Sequence, residues 1–411
     1  MAIQVPSAYQ DTLKPIKNQD KRTDEEIFQS LLKLSPVGDS EKNVWAFWDS
    51  GFRNMPGWCQ RNVVAWVRTC GPDWTIRVLD DVPESPNYAA RYVPKDSSPN
   101  LPERFYARTL NDEYSGPHIA DFLRGACLFK YGGVWMDCSI FLTRNMDDIC
   151  WNELSDPASP YQVAVPYHFG GLLNCFIAAR KGDPYIARWH DLFTEVWAGK
   201  ENADGLAQHP LMAPIVPYFT AKFKKAGVED MGLKASLDKM AEYGAQMVCW
   251  QRLTMTEKDK TGFACADYWV NHVAWIDCPK EVMKPFFNES MQFNPHLIGQ
   301  GLFDILATPV DGNKDSQLYQ DAEKLVWTQV TTASMIKVGT IKGMVSWISA
   351  ATLWNMPENA GKDGQPGTFG EVLRAVPWQY KQTRKGVSLA KGVKSPVTFI
   401  ESEDGNLKAA E

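Results

Sequence analysis

The sequence lacks several motifs by which enzyme classes are commonly identified. It contains no GxGxxG fingerprint, no GxxxxGK[ST] phosphate loop, no GxSxG elbow and no HExxH motif, which weighs against dehydrogenases, P-loop NTPases, α/β-hydrolases and zincins. No stretch reaches the ~18 consecutive apolar residues of a membrane-spanning helix. The first forty residues are polar and charged and hold no apolar run of signal-peptide length. We therefore expect a cytoplasmic protein.

Cysteine usage and net charge exclude further classes. The nine cysteines, an odd number, form no CxxC pair, which weighs against zinc ribbons and disulfide frameworks and favours reduced, buried thiols. The formal net charge is only −6, from 43 basic and 49 acidic residues. Proteins that bind a phosphate backbone need a basic field, so we expect no nucleic-acid partner.

Tryptophan, in contrast, is abundant, with 16 Trp among the 411 residues. An indole combines a large apolar body with one hydrogen-bond donor, so this excess indicates an aromatic core or surfaces that stack on flat rings and sugar faces. Residues 344–354 (MVSWISAATLW) contain two of these tryptophans. We interpret this segment as a buried core helix, and its alternative is peripheral contact with a membrane surface.

The hydrophobic pattern predicts an α/β fold. Residues 43–48 and 75–80 have the composition of buried strands, and the residues between them follow helical spacing. A strand, helix, strand unit predicts parallel pairing. The next predicted elements are a helix over 117–131 that stops at a Gly-Gly pair, and strands over 134–143, 162–167 and 172–180.

Three regions follow from this pattern. Residues 1–41 form a polar N-terminal extension, and 42–280 form an α/β domain. Beyond about residue 280 the periodicity weakens, so 281–411 are predicted to be a mostly helical and loop extension.

The residues that carry chemistry lie between 118 and 143. Asp121 and Arg124 are three apart on the predicted helix and so share a face. Asp137 interrupts an apolar strand near its carboxyl end, the place where ligands bind in open α/β sheets. A buried carboxylate without a partner is costly, so a purely structural Asp137 is the weaker interpretation.

This block carries a family resemblance. Asp121-x-x-Arg124 followed by YGGVWMDCS (131–139) resembles the sugar-binding region of DXD-type glycosyltransferases, above all the capsular polysaccharide synthesis family. The fungal mannosyltransferases and clostridial glucosylating toxins are related families. VWAFW (44–48) and ADYWVNH (266–272) also look like their counterparts, so the similarity spans about 42–280. It implies a GT-A type, Rossmann-like mixed sheet flanked by helices, holding a nucleotide sugar over Mn²⁺ or Mg²⁺. On this resemblance, 42–280 would be the nucleotide-sugar-binding catalytic domain, and the extension 281–411 would complete the acceptor side.

The resemblance also implies roles for individual residues. Asp121 and Asp137 are the catalytic candidates: Asp121 would hydrogen-bond the donor sugar or ribose, and Asp137 would bind the metal. Arg124 would contact sugar or phosphate, to which its planar fork is suited. Trp45 or its neighbour Trp135 would stack on the nucleobase.

One position departs from the DXD pattern, because Ser139 stands where the second carboxylate is expected. A hydroxyl is a weaker ligand, so His272 is our candidate for a further metal or phosphate contact. One amide and one cation complete the expected nucleotide-sugar site: Asn174 would face the sugar, and Lys337 would reach the diphosphate.

Three hypotheses follow. The first is a metal-dependent, retaining glycosyltransferase that moves a hexose or N-acetylhexosamine from a UDP-sugar, or from GDP-mannose, to a hydroxyl acceptor such as a small hydrophobic aglycone or lipid. The second is a non-catalytic nucleotide-sugar or carbohydrate binding protein, in which Ser139 marks a lost metal site. The third is a nucleotide-sugar hydrolase or phosphotransferase.

Overall fold

The computed structural model describes residues 3–168, 171–225, 232–286, 294–339, 343–387 and 389–410. The strands are β1 (Leu13–Pro15), β2 (Asn43–Phe47), β3 (Thr75–Leu79), β4 (Gly133–Met136), β5 (Ile140–Leu142), β6 (Val163–His168), β7 (Gly171–Leu172), β8 (Phe176–Ala179), β9 (Thr256–Lys258), β10 (Val273–Asp277), β11 (Met335–Lys337), β12 (Tyr380–Gln382), β13 (Leu389–Lys391), β14 (Phe399–Glu401) and β15 (Leu407–Ala409). The α-helices are α1 (Asp24–Leu31), α2 (Gly57–Cys70), α3 (Ala89–Tyr92), α4 (Glu103–Tyr106), α5 (Ser115–Tyr131), α6 (Asn152–Ser155), α7 (Pro184–Val196), α8 (Val216–Lys225), α9 (Leu237–Tyr243), α10 (Ala245–Met255), α11 (Cys265–His272), α12 (Cys278–Glu281), α13 (Gln300–Ala307), α14 (Gln317–Thr332), α15 (Ala350–Trp354) and α16 (Phe369–Gln379).

A central mixed sheet organises the molecule. Its strand order is β13-β10-β6-β8-β4-β2-β3, with β7 paired beside β6. β2 runs parallel to β3 and β4, and β6 runs parallel to β10. β8 is antiparallel to both β4 and β6, so the five strands β2, β3, β4, β6 and β10 all point the same way. Their carboxyl ends meet at one edge of the sheet, the carboxyl edge. The predicted α/β fold with a mixed sheet is confirmed.

Helices cover both faces of the sheet. Along β2, Val44 and Ala46 pack into one core, whereas Trp45 and Phe47 pack into the other, as the two-residue period of a strand requires. Helices α2, α14 and α16 cover the Val44 face, and α5, α7 and α10 cover the Trp45 face. Much of the tryptophan excess serves these cores. The fully buried indoles include Trp45, Trp66, Trp135, Trp189, Trp197, Trp250 and Trp269.

The cysteines are part of the same cores. All nine are unpaired and buried, so the prediction of buried thiols without disulfides is confirmed. Burial raises the pKa of Cys138 and of Cys175 to about 12. Both are therefore neutral thiols at physiological pH, and neither has the low pKa of a nucleophilic cysteine.

Two segments predicted as single strands each contain a turn. Residues 134–143 divide into β4 and β5, and residues 172–180 hold the end of β7 followed by β8. The first turn places Asp137 at the carboxyl edge, and the second holds Asn174. The polar residue inside each apolar run marks the point where the strand stops.

The C-terminal region is joined to the rest of the fold by strand pairing. β11 pairs with β5, β12 with β1 and β13 with β10, all antiparallel. The helices α13, α14 and α16 form where the sequence periodicity is weak, and their burial against one core gives the reason, since tertiary packing stabilises helices of modest propensity.

The segment 344–354 is not one buried helix, because only Ala350–Trp354 are helical and Ile348 is 53% exposed. Across the part of the chain that the structure describes, no helix has both the length and the apolar character needed to cross a membrane. Contact with a membrane surface stays a prediction.

Candidate active site

Helix α5 brings two charged residues to the carboxyl edge. It ends at Gly132, whose φ of +67° turns the chain back into β4. The next residue, Gly133, also has a positive φ of +104°, and a Cβ there would overlap the carbonyl oxygen of Asn43. Because α5 runs opposite to β4, its early residues lie near the end of that strand. Asp121 and Arg124 are buried there, with 7% and 3% exposure.

Asp137 follows β4 directly and is held in a tight turn. Its backbone N–H donates to the Cys175 carbonyl at 2.9 Å, and its own carbonyl accepts from Ile140 at 3.0 Å. The side chain is 27% exposed, so one part of the carboxylate faces solvent. The turn therefore presents a partly exposed carboxylate at the carboxyl edge.

Cations flank both oxygens of this carboxylate. Lys337 Nζ donates to Oδ2 at 2.7 Å, and Arg124 Nη2 lies 3.4 Å from Oδ1. Burial disfavours the charged form of Asp137, but Lys337 and Arg124 outweigh this effect and hold the pKa of its carboxyl below the ordinary value. Burial likewise opposes the charge on Lys337, yet the Asp137 carboxylate raises the pKa of this lysine above its usual value. Both groups are charged at neutral pH.

Behind the carboxylate lies a closed hydrogen-bond network. Arg124 Nη1 donates to Asp121 Oδ1 and to Gln246 Oε1. Asn174 Nδ2 donates to the same two oxygens, at 3.1 Å each. Gln246 Nε2 closes the network by donating to the Asp121 carbonyl at 2.5 Å. These shared hydrogen bonds fix the orientation of the four side chains.

The structure thus brings together five of the residues singled out from the sequence: Asp121, Arg124, Asp137, Asn174 and Lys337. It adds Gln246, from α10, which the sequence analysis missed. No motif surrounds Gln246. The one feature that could have indicated it is that it is a polar residue on a helix that is buried along most of its length.

Trp135 belongs to the site as a support. It is 1% exposed, its indole N–H donates to Asp137 Oδ1 at 3.3 Å, and the Arg124 guanidinium lies 5.1 Å from its ring centroid. Because the ring is buried and packs against Arg124, no ring face is open for a nucleobase to stack on. Trp135 therefore orients Asp137 and Arg124.

Trp45 requires a correction, because it does not reach the crevice. It is fully buried, and its indole N–H donates to the Gly132 carbonyl at 3.0 Å. Arg77 lies over its ring at 5.1 Å, and Tyr131 packs beside it at 5.3 Å. This tryptophan is a core residue, as a strand buried on both faces requires.

His272 requires a correction as well. It is the last residue of α11 and precedes β10, which reaches the carboxyl edge only at Asp277. At ~3.3 Å per residue, the length of β10 separates His272 from that edge. Its Nδ1 pairs with the Pro160 carbonyl at 2.8 Å, and its ring packs on Tyr268. It is therefore not a ligand in a site built on Asp137.

The residues around Asp137 do not fit a divalent metal as they are arranged. Lys337 Nζ lies 2.7 Å from Asp137 Oδ2 and 2.6 Å from Ser139 Oγ, so an ammonium fills the space between the two expected ligands. Within the described residues, no group of three or more His, Cys, Asp or Glu side chains is placed to hold a metal ion. A cation is already present where the metal was expected.

Comparison with known proteins gives the class of this site. The chain is 40% identical, over 98% of both chains, to the probable glycosyltransferase FCK3 of Fusarium pseudograminearum. It is 35% identical to the O-glycosyltransferase braB of Annulohypoxylon truncatum, over 92% of this chain and 89% of that one. It is 34% identical to the glycosyltransferase afumC of Aspergillus fumigatus, over 91% and 94%. The protein is therefore an enzyme, a glycosyltransferase.

Within that class, the chain belongs to the capsular polysaccharide synthesis protein family, which matches residues 7–212. The resemblance expected from the sequence is confirmed. The matched span includes Asp121, Arg124, Asp137 and Asn174 and ends before Gln246 and Lys337. A solved structure, the PaToxG glycosyltransferase, is 18% identical and covers 55% of this chain and 92% of that chain with a TM-score of 0.30, too low to support an argument.

Proposed function

We propose that this glycosyltransferase moves a hexose or N-acetylhexosamine from a nucleotide diphosphate sugar, with UDP as the first candidate base, to a hydroxyl of a small apolar acceptor. The observation that carries this proposal is the pair of cations, Arg124 and Lys337, on either side of Asp137 at the carboxyl edge. Fixed positive charges aimed at a leaving diphosphate stabilise the charge that develops as it departs.

The buried network suits the sugar side of the donor. Asp121 supplies a carboxylate that accepts hydrogen bonds, Asn174 supplies an amide, and the buried Gln246 bonds to both and holds them in place. Such groups recognise the hydroxyls of a hexose or ribose, and their mutual hydrogen bonds hold them in place before the donor arrives.

We propose transfer with retention of the anomeric configuration. The bond from C1 to the diphosphate oxygen breaks, and its electron pair stays on the diphosphate. The acceptor oxygen then bonds to C1 on the same face, and its proton passes to the departing diphosphate. This route needs no carboxylate or histidine at the acceptor hydroxyl.

Two apolar surfaces support a small apolar acceptor. A cavity of about 650 Å³ lies at the ends of β6 and β10 and includes the rings of Trp269 and Trp275, a size suited to small molecules. The second surface is the segment 344–354. It begins close to the start of α5, since a Cβ built on the preceding Gly343 would lie 3.6 Å from the hydroxyl oxygen of Tyr114. Two relatives of this chain are named O-glycosyltransferases, which supports a hydroxyl as the acceptor.

The test has two stages. Thermal-shift and calorimetric titrations with UDP-glucose, UDP-N-acetylglucosamine, UDP-galactose and GDP-mannose identify the sugar donor, because a ligand stabilises only the state that binds it. The bound donor is then incubated with farnesol, ergosterol or 1-naphthol. We expect a glycoside by mass spectrometry and a retained anomeric configuration by NMR.

The outcomes separate the hypotheses. Binding without any turnover in the presence of all acceptors would favour a binding protein. Donor consumption at full rate without acceptor would favour a hydrolase, and binding of none of the four donors would refute the proposal.

A further inference from the structure

Lys337 is fixed beside Asp137 by backbone pairing. It ends β11, which pairs antiparallel with β5, and its register partner is Ile140, three residues after Asp137. The backbone is anchored on both sides: Lys337 N–H donates to the Val282 carbonyl at 3.2 Å, and Val338 N–H donates to the Ser139 carbonyl at 3.1 Å. The sheet therefore positions the backbone of Lys337 beside the Asp137 turn.

The ammonium makes the contacts that a metal would make. It donates to Asp137 Oδ2 at 2.7 Å and to Ser139 Oγ at 2.6 Å, and the lysine side chain is 24% exposed. The carboxylate and the hydroxyl are the two groups at the DXD positions. A metal ion can take both oxygens only after the ammonium has left them.

The charges of the site are balanced without a metal. Asp121 and Asp137 are matched by Arg124 and Lys337, each within an ion pair. Ser139 is neutral where the DXD motif has a second carboxylate, so this site carries one negative charge fewer than a DXD site. The single positive charge of Lys337 is therefore enough to balance Asp137, where a DXD pair would balance a divalent ion.

We propose that Lys337 supplies, as a fixed ammonium, the positive charge that was expected from a divalent metal, so that sugar transfer by this chain does not require a metal ion. The inference rests on the proposed function. In the transfer step the C1–oxygen bond to the diphosphate breaks and the electron pair stays on the diphosphate. The acceptor oxygen bonds to C1 in its place, and the acceptor's proton goes to a diphosphate oxygen. Lys337 keeps its proton and donates its third N–H to the departing diphosphate.

The first experiment measures UDP affinity of the full chain by calorimetry, in metal-free buffer, with excess EDTA and with added Mn²⁺. We expect the same dissociation constant in all three conditions and the same rate of sugar transfer in the first two. Loss of UDP binding or of transfer in EDTA, restored by Mn²⁺, would overturn the inference while leaving the proposed function intact. Absence of UDP binding in every condition would instead remove the UDP-dependent proposal on which the inference rests.

The second experiment compares substitutions at Lys337. Lys337→Met should weaken UDP binding by about 10- to 100-fold, the value of one hydrogen bond from a charged group. Lys337→Arg keeps the cation and should recover part of that loss. Lys95→Met removes a lysine from an exposed ion pair with Glu103 and serves as the matched control, with unchanged affinity expected.

Folding of each variant is checked by its circular dichroism spectrum and melting temperature. UDP affinity equal to that of the wild type in a folded Lys337→Met protein would contradict the assignment. A merely structural lysine would change the melting temperature and leave UDP affinity as it is.

Discussion

Gln246 offers the sharpest test of the network, because it is held by three hydrogen bonds and was not evident from the sequence. Gln246→Leu keeps the approximate volume and removes the bonds to Arg124, Asn174 and the Asp121 carbonyl. Each neutral bond contributes about 0.5–1.5 kcal/mol and one to a charged group about 1.5–3 kcal/mol. Arg124 and Asn174 keep their bonds to Asp121, so we expect the free energy of unfolding to fall by about 2–4 kcal/mol.

The same substitution frees Arg124 to move. A small displacement of a positioning group can cost about 100-fold in rate, so we expect kcat/KM to fall by roughly 10- to 100-fold and UDP affinity to weaken. Urea denaturation followed by fluorescence measures the first quantity, and calorimetry and transfer assays measure the others.

A matched control exists in Gln382, which is also buried and donates from Nε2 to three backbone carbonyls at 2.8–3.2 Å, outside the contacts of the site. Gln382→Leu should lower stability by a similar amount and leave UDP affinity unchanged. If Gln246→Leu loses stability but binds UDP and transfers sugar as the wild type does, the network does not position Arg124 and our account of the site is mistaken.

Three further predictions concern single side chains. Asp137→Asn should lower kcat/KM by about 10- to 100-fold. The pKa of Asp137 in the folded protein lies below the unfolded value of ~3.9, so the stability that its charge adds is present at neutral pH and is lost as pH falls through the folded pKa. The urea midpoints of wild type and variant should therefore converge at acid pH. Arg124→Lys keeps the charge but loses the planar guanidinium, so UDP binding measured by calorimetry should weaken by about tenfold. Equal affinity would show that UDP binding does not depend on the guanidinium geometry. Trp45→Phe should lower stability by about 1–3 kcal/mol through the lost hydrogen bond and a small void, with UDP affinity unchanged; a weakened affinity would restore Trp45 to the site.

Local pattern was sufficient to predict β2, α2, β3 and α5, although it did not predict β1 and α1 in the polar N-terminal segment. The strands over 43–48 and 75–80 form as predicted and pair in parallel, and the helix that carries Asp121 and Arg124 stops at the Gly-Gly pair. Asp137 lies at the end of its strand because one carboxylate in an apolar run marks where burial ends.

The remaining errors have physical causes. A buried Trp45 and a tryptophan that stacks on a ligand look the same in the sequence. Only the tertiary packing of Tyr92, Tyr131 and Arg77 against the ring decides that this one is covered. The resemblance of the residues around His272 assigns it to the metal site at the carboxyl edge. Because β10 runs parallel to β6 and His272 precedes β10, this histidine lies at the opposite edge of the sheet. Gln246 lies 125 residues from Asp121, and no local signal reports a contact at that separation.

The long separation between Asp137 and Lys337 bears on how the enzyme is made. Their ion pair joins residues 200 positions apart, and β1 near the start of the chain pairs with β12 near its end. Contacts this distant in sequence close large loops and form slowly. A nascent chain shorter than 337 residues contains Asp121 and Arg124 but lacks the ammonium that pairs with Asp137 Oδ2. Its Asp137 carboxylate can pair with Arg124, at 3.4 Å in the complete fold, but not with the second cation, so the full site forms only after residue 337 has been made.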